Sequence, residues 1–296
     1  MRLGIFAKTF SRSSLDDVLD AICGHGIREV HFNFACAGLE PLPAEITPAL
    51  CQSIRKAFDS RGLTMCSVSG TYNAIHPDVA LRADLSRRAC RMIQQCPALD
   101  TSMVTLCTGT RCRDDMWTEH PDNDSPDAWD DLRRTLETLL DAARRAGVIL
   151  CVEPEHANVI FTAARARRLL DEFASPHLKV VIDAANLLKP EAVPQADAVL
   201  ENAFQLLAPD IVMAHAKDLP RDPGGSKAAG SGLVDWSYYL AGLNRIGFTG
   251  PLVLHGLEER EVTESVRFLT SIVSTKSQST ANSQSTAASQ KTGAPR

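Results

Sequence analysis

The chain has 296 residues, 44% of them hydrophobic and 23% charged, with a net charge of −5. That composition suits one large globular domain or two ordinary ones, and the acidic balance offers no basic stripe for a nucleic-acid backbone. No apolar stretch approaches the roughly 20 residues that span a bilayer, the start turns polar too soon for a signal peptide, and the odd cysteine count lacks a CxxC pair, so a reduced, cytoplasmic protein off the membrane is expected.

Strand-like and helix-like segments alternate along the chain. Leu3–Phe6 reads as a strand, followed by a helix near Leu15–Cys23 that stops at Gly24 and Gly26. Glu29–Phe34 is the second strand, with a helix over Pro48–Arg61 behind it. Thr64–Ser69 and a helix near Val79–Gln95 form the third pair, and Ser102–Cys107 is the fourth strand. Ser125 caps the fourth helix, Pro126 takes its first turn, and Trp129, Leu132, Leu136, Leu139, Leu140 and Ala143 line one face up to Gly147. The fifth strand starts at Ile149 and ends on Glu153, and a helix follows near Ala163–Phe173. Lys179–Ile182 and a helix near Pro194–Leu207 form the sixth unit. Ile211–His215 and a helix near Asp235–Ile246 form the seventh. Pro251–His255 and Thr263–Val273 form the last. Eight successive βα units without hairpin signals predict a single-domain α/β fold, a (β/α)8 TIM barrel over residues 1–273. No Gly-rich fingerprint follows the first strand, which argues against an open dinucleotide-binding sheet. Residues 274–296, from Ser274 onward, lack core formers and read as a disordered tail.

Four apolar runs in the second half each close on a polar side chain: Ile149–Val152 on Glu153, Val180–Ile182 on Asp183, Ile211–Ala214 on His215, and Leu252–Leu254 on His255. Apolar runs of this length read as strands buried on both faces, and barrel active sites lie at the C-terminal ends of the strands. The four residues are therefore expected to meet at one polar site, where carboxylate oxygens and imidazole nitrogens suit a divalent ion such as Mn²⁺, Co²⁺, Zn²⁺ or Mg²⁺. Lys8, Asn73, His76, Arg111, Trp117, Glu155, His156, Asn186 and Lys217 fall on the same rim. Lys217 shares the strand parity of His215. Asp122, Asn123 and Asp218 read as turn or capping residues.

The motifs Glu153-Pro154-Glu155-His156-Ala157-Asn158, Asp183-Ala184-Ala185-Asn186 and His215-Ala216-Lys217-Asp218 resemble those of the xylose isomerase-like barrel superfamily, the sugar phosphate isomerase/epimerase group. The stretch Gly230–Trp236, followed by Leu243, Gly247, Phe248 and Gly250, is similar to the family's final βα segment, and the likeness spans about residues 1–273. The resemblance implies one divalent metal held by Glu, Asp, His and Glu from strands five to eight. Glu153, Asp183 and His215 match the first three. His255 stands where the family has its second Glu, and Asn186 stands where it has a His after strand six. His255 remains the expected fourth ligand.

Together these pieces imply a metal-dependent sugar isomerase or epimerase acting on a ketose or sugar acid through a cis-enediolate. Glu153 is the expected ligand and base, and His255 the ligand or second acid–base group. Lys217, His156 or His76 would stabilise an oxyanion or shuttle a proton. Lys8 and Arg111 would hold an anionic group, with Asn73 and Asn186 on the substrate. The Gly-rich loop Pro223–Gly232 would cradle phosphate or act as a lid. Two alternatives use the same barrel: a lyase dehydrating a keto-inositol or dehydroshikimate-type substrate, and a sugar-binding barrel without turnover. The partner expected is a small-molecule sugar, with no nucleic acid and no membrane. A homo-oligomer is a further implication of the resemblance.

Overall fold

The computed structural model describes residues 1–188 and 190–272; the expected tail lies outside the described residues. Eight parallel strands close into a barrel in chain order. They are β1 (Arg2–Phe6), β2 (Glu29–Phe32), β3 (Thr64–Ser69), β4 (Met103–Leu106), β5 (Ile149–Val152), β6 (Leu178–Asp183), β7 (Ile211–Ala216) and β8 (Pro251–Leu254). Closure pairs Arg2 with Pro251 and Ile5 with Leu254. The Arg2 amide also donates to the Gly250 carbonyl at 3.2 Å. Gly250 is needed there, because a Cβ on it would stand 2.4 Å from the Val212 carbonyl oxygen.

The connecting helices are α1 (Leu15–Gly24), α2 (Pro48–Asp59), α3 (Val79–Gln95), α4 (Pro126–Ala146), α5 (Ala163–Phe173), α6 (Ala184–Leu187), α7 (Ala196–Leu207), α8 (Trp236–Arg245) and α9 over 262–272. Side-chain caps set several starts. The Ser125 hydroxyl accepts from the Ala128 amide, and Thr47, Asp78, Thr162 and Asp235 cap their helices in the same way. No helix among the described residues is long and apolar enough to cross a membrane.

Several elements start or stop a residue or two from their expected bounds, Glu153 and His255 falling just past β5 and β8, and two of the differences have a clear local cause. β2 stops at Phe32 because Asn33 caps a 3-10 turn over Phe34–Ala37. The single turn α6 begins at the very end of β6, because the Asp183 carboxylate accepts from the Ala185 and Asn186 amides at 2.9 and 3.4 Å.

Apolar side chains separate into two bodies. The larger fills the layer between sheet and helices. The smaller is a plug of Cys66, Cys151, Val181, Met213 and Val253, with Phe6, Met103, Ile149 and Val212 packed against it. Strand side chains alternate between faces, so the residue two places after a plug residue points the same way. Cys151 thereby sets Glu153, Val181 sets Asp183, Met213 sets His215, and Val253 sets His255. The plug is the floor on which these polar side chains stand.

Candidate active site

Above the plug opens a cavity of about 680 Å³, lined at its floor by Phe6, His31, Thr105, Glu153, His215 and His255. Glu155, His156, Asn186 and Lys217 form its walls, with Lys8, Lys227, Met116 and Trp117 toward the mouth. Glu153, Asp183 and His215 come together, each offering a ligand atom within 4.8 Å of the others. His215 Nδ1 lies 3.1 Å from Glu153 Oε1 and 3.7 Å from Asp183 Oδ2. Asp183 Oδ2 and His215 Nε2 are buried without a hydrogen-bond partner.

Charges decide the protonation states. Burial alone would keep His215 neutral, but Glu153 and Asp183 outweigh it and raise its pKa to about 9. Burial would likewise favour a neutral Asp183, yet Lys217, 3.5 Å away, and His215 hold the carboxyl well below its usual range. Lys217 is kept charged against burial by Asp183, Glu153 and Glu155. Asn186 joins the two halves: its Nδ2 donates to Glu153 Oε1 at 2.6 Å, and its Oδ1 accepts from Lys217 Nζ.

His255 stands beside this group rather than in it. Its ring stacks on His215 at 4.8 Å and on Phe6 at 5.2 Å, nearly parallel to both. Burial first, then the charges on His215 and Lys217, push its pKa well below the ordinary histidine value. Its Nδ1 is buried and unpartnered. The expected fourth ligand thus lies outside the cluster that converges.

The donor set fits a divalent ion. Two atoms bound to one ion at about 2.1 Å stand about 3.0–3.4 Å apart, and the separations around His215 Nδ1 are close to that. The orphaned Asp183 Oδ2 points the same way, since buried polar groups otherwise find partners. Two carboxylates with one imidazole suit Mn²⁺, Co²⁺, Zn²⁺ or Mg²⁺.

Three residues expected to touch substrate are placed elsewhere. Arg111 donates to Asp131 at 2.7 Å and, with Arg82, forms a half-buried ion-pair cluster behind the β4 loop. Asn73 bonds the Thr110 amide and carbonyl at 3.0 and 2.8 Å, tying the β3 loop to the β4 loop. His76 accepts from the Asp78 amide and lies 3.1 Å from the Arg113 carbonyl. Their polar atoms are captured by nearby backbone and by Asp131, so none lines the cavity.

Two groups at the site stand outside the residues expected to act. His31 lies inside β2, where its Nδ1 meets Ser67 Oγ at 2.6 Å. Burial, then the charge on His215, lower its pKa to about 3, so it is a neutral floor group. Its spacing of two from Glu29 and Asn33 is the available sequence signal of an inward-facing position. Glu155 is legible only as a rim residue. Burial, then Glu153, raise its pKa to about 7, which leaves a carboxyl that can hold a proton near neutrality.

A family model described as xylose isomerase-like TIM barrel matches residues 20–272. The chain belongs to that family. Within the xylose isomerase-like barrels, 3-keto-D-glucoside 4-epimerase from E. coli superposes with a TM-score of 0.70 at 18% identity, covering 92% of this chain and 99% of that one. A D-tagatose 3-epimerase-like protein gives 0.73 at 14% identity, covering 95% and 100%. A xylose isomerase-like protein from Mycobacterium smegmatis, in complex with magnesium, gives 0.67 at 18% identity and covers 88% of each chain. At these identities the likeness to solved structures is one of fold. A search of curated proteins finds none that matches this sequence.

Proposed function

We propose that this barrel is a metal-dependent isomerase or epimerase of a ketose or sugar acid, working through a cis-enediolate of the substrate. The observation that supports it is the convergence of Glu153, Asp183 and His215, the first and last of them lining the cavity floor, with the Asp183 Oδ2 ligand atom buried and left unpartnered. Several structural neighbours are sugar epimerases, in keeping with that chemistry. Glu153, Asp183 and His215 would hold the ion, which when bound supplies positive charge beside a substrate carbonyl and acidifies the neighbouring C–H.

The protein's own groups then handle the proton. Glu153 has Oε1 engaged by His215 and Asn186, which leaves Oε2 to take a proton from the substrate carbon. Glu155, with its pKa near 7, is able to return one, and the neutral His255 can relay one by taking it on one ring nitrogen as it gives it from the other. Lys217 supplies a fixed positive charge against a developing oxyanion.

Metal analysis of the purified protein, with exchange of solvent deuterium into a panel of ketoses and sugar acids, tests the reading. Bound divalent metal and exchange at the carbon next to the carbonyl are expected, with exchange at least about 100-fold slower in Glu153→Gln. Neither metal nor exchange would overturn it. An enone absorbance in the products would assign the lyase chemistry instead.

A further inference from the structure

The cavity carries two lysines for which the isomerase chemistry has no use. Lys8 sits on the 3-10 turn Ala7–Thr9 after β1, and Lys227 on the loop after β7; both are exposed and both line the cavity. β8 lies between β7 and β1, so the two flank its end. Gly256 stands there with φ +73, and a Cβ on it would meet Lys217 Cδ at 3.0 Å and Lys227 Cβ at 3.6 Å. A side chain at 256 would press on the Lys217 stem and touch that of Lys227, and glycine leaves the backbone open between the β1 and β7 loops.

The surroundings hold this sector still without neutralising it. Arg12 from the β1 loop pairs with Glu259 at 2.5 Å. Ser226, next to Lys227, donates to Glu261 at 2.5 Å, which also accepts from the Glu258 amide. The acids nearest in the β8 loop are therefore engaged with other groups. Among the described residues neither Lys8 nor Lys227 forms an ion pair or side-chain hydrogen bond. Two unpaired ammonium groups at one rim sector of a protein with net charge −5 create a local positive field facing the cavity.

We propose that Lys8 and Lys227, on either side of Gly256, bind the anionic end group, carboxylate or phosphate monoester, of an acidic sugar whose carbonyl end reaches the Glu153–Asp183–His215 cluster. The assignment of the carbonyl end rests on the isomerase reading; the anion site itself rests on the lysines. It narrows the substrate to an acidic sugar.

The test uses three matched ligands: fructose, its C6 carboxylate fructuronate, and fructose 6-phosphate. Calorimetry on the full chain gives affinities, and deuterium exchange gives turnover on the same samples. At least one anion is expected to bind about tenfold or more tighter than fructose, with affinity falling as NaCl rises. The stronger of the two identifies carboxylate or phosphate as the end group. Lys8→Gln/Lys227→Gln should erase the preference, and Lys8→Arg/Lys227→Arg should keep it. Equal binding or no binding of the three ligands, or a preference that survives the double Gln variant, would overturn the proposal. Lysine-dependent anion binding without exchange of any sugar would support the anion site and count against the isomerase reading. Exchange with a preference indifferent to the lysines would do the reverse.

Discussion

Asp183 has no exposed side-chain surface and faces two opposite charges, Lys217 at 3.5 Å and His215 at 3.7 Å. Asp183→Asn keeps the shape and the cap on α6 but removes the charge. Metal affinity should fall more than about tenfold, read as metal retained after gel filtration. Lys217 and His215 would lose their counter-charge, so thermal denaturation should show a loss of about 3 kcal/mol. His255 calls for a different substitution, because its ring is packed between Phe6 and His215. His255→Phe preserves a flat ring and discards the nitrogens. Stability should change by no more than about 1.5 kcal/mol, the usual worth of an aromatic pair. Deuterium exchange should drop at least about tenfold if His255 moves a proton. Unchanged exchange would leave Glu155 as the remaining donor.

At the scale of elements, the segment between β7 and α8 is organised by one buried carboxylate. Asp218 accepts from the amides of Leu219, Gly230 and Val234 and from Trp236 Nε1, all at 2.9–3.0 Å. Asp218→Ala would orphan these donors. We expect at least about 2 kcal/mol of lost stability and faster proteolytic cleavage of the loop near Arg221, measured by limited trypsin digestion. The same carboxylate shows how much a sequence discloses. Asp218 reads as a turn residue from its type alone, and the four strand-end residues read from apolar runs, because strands buried on both faces leave that trace. Arg111, Asn73 and His76 do not read this way. Each has a partner on another element, Asp131 lying 20 residues beyond Arg111, the Thr110 carbonyl 37 beyond Asn73 and the Arg113 carbonyl 37 beyond His76. Those partnerships follow from how the β3 and β4 loops pack, which no local pattern records. His31 is hidden for the opposite reason, since it lies within a strand and not at its end.

For the molecule as a whole, the buried rings predict an acid limit. His31 has a folded-state pKa of about 3 and an unfolded value near 6.5. The unfolded chain therefore binds the extra proton first. The contribution of neutral His31 is complete above pH 6.5 and is lost as pH falls from there toward 3, at most about 1.4 kcal/mol per pH unit. Denaturation curves across that window should show His31→Gln with a shallower pH slope than wild type; parallel slopes would remove His31 as a source of acid sensitivity. The alternation that places the site carries one more consequence. Along β5 to β8 each rim residue is separated by two positions from a plug residue, and the plug is where the packing lies. Exchanging a rim side chain such as His255 thus leaves the plug packing in place, whereas inserting or deleting one strand residue would turn both positions over together. The ligand and acid–base groups at positions 153 and 255 can therefore change without a change in the residues that fill the barrel. The barrel is conservative in its interior and free to experiment at its lip.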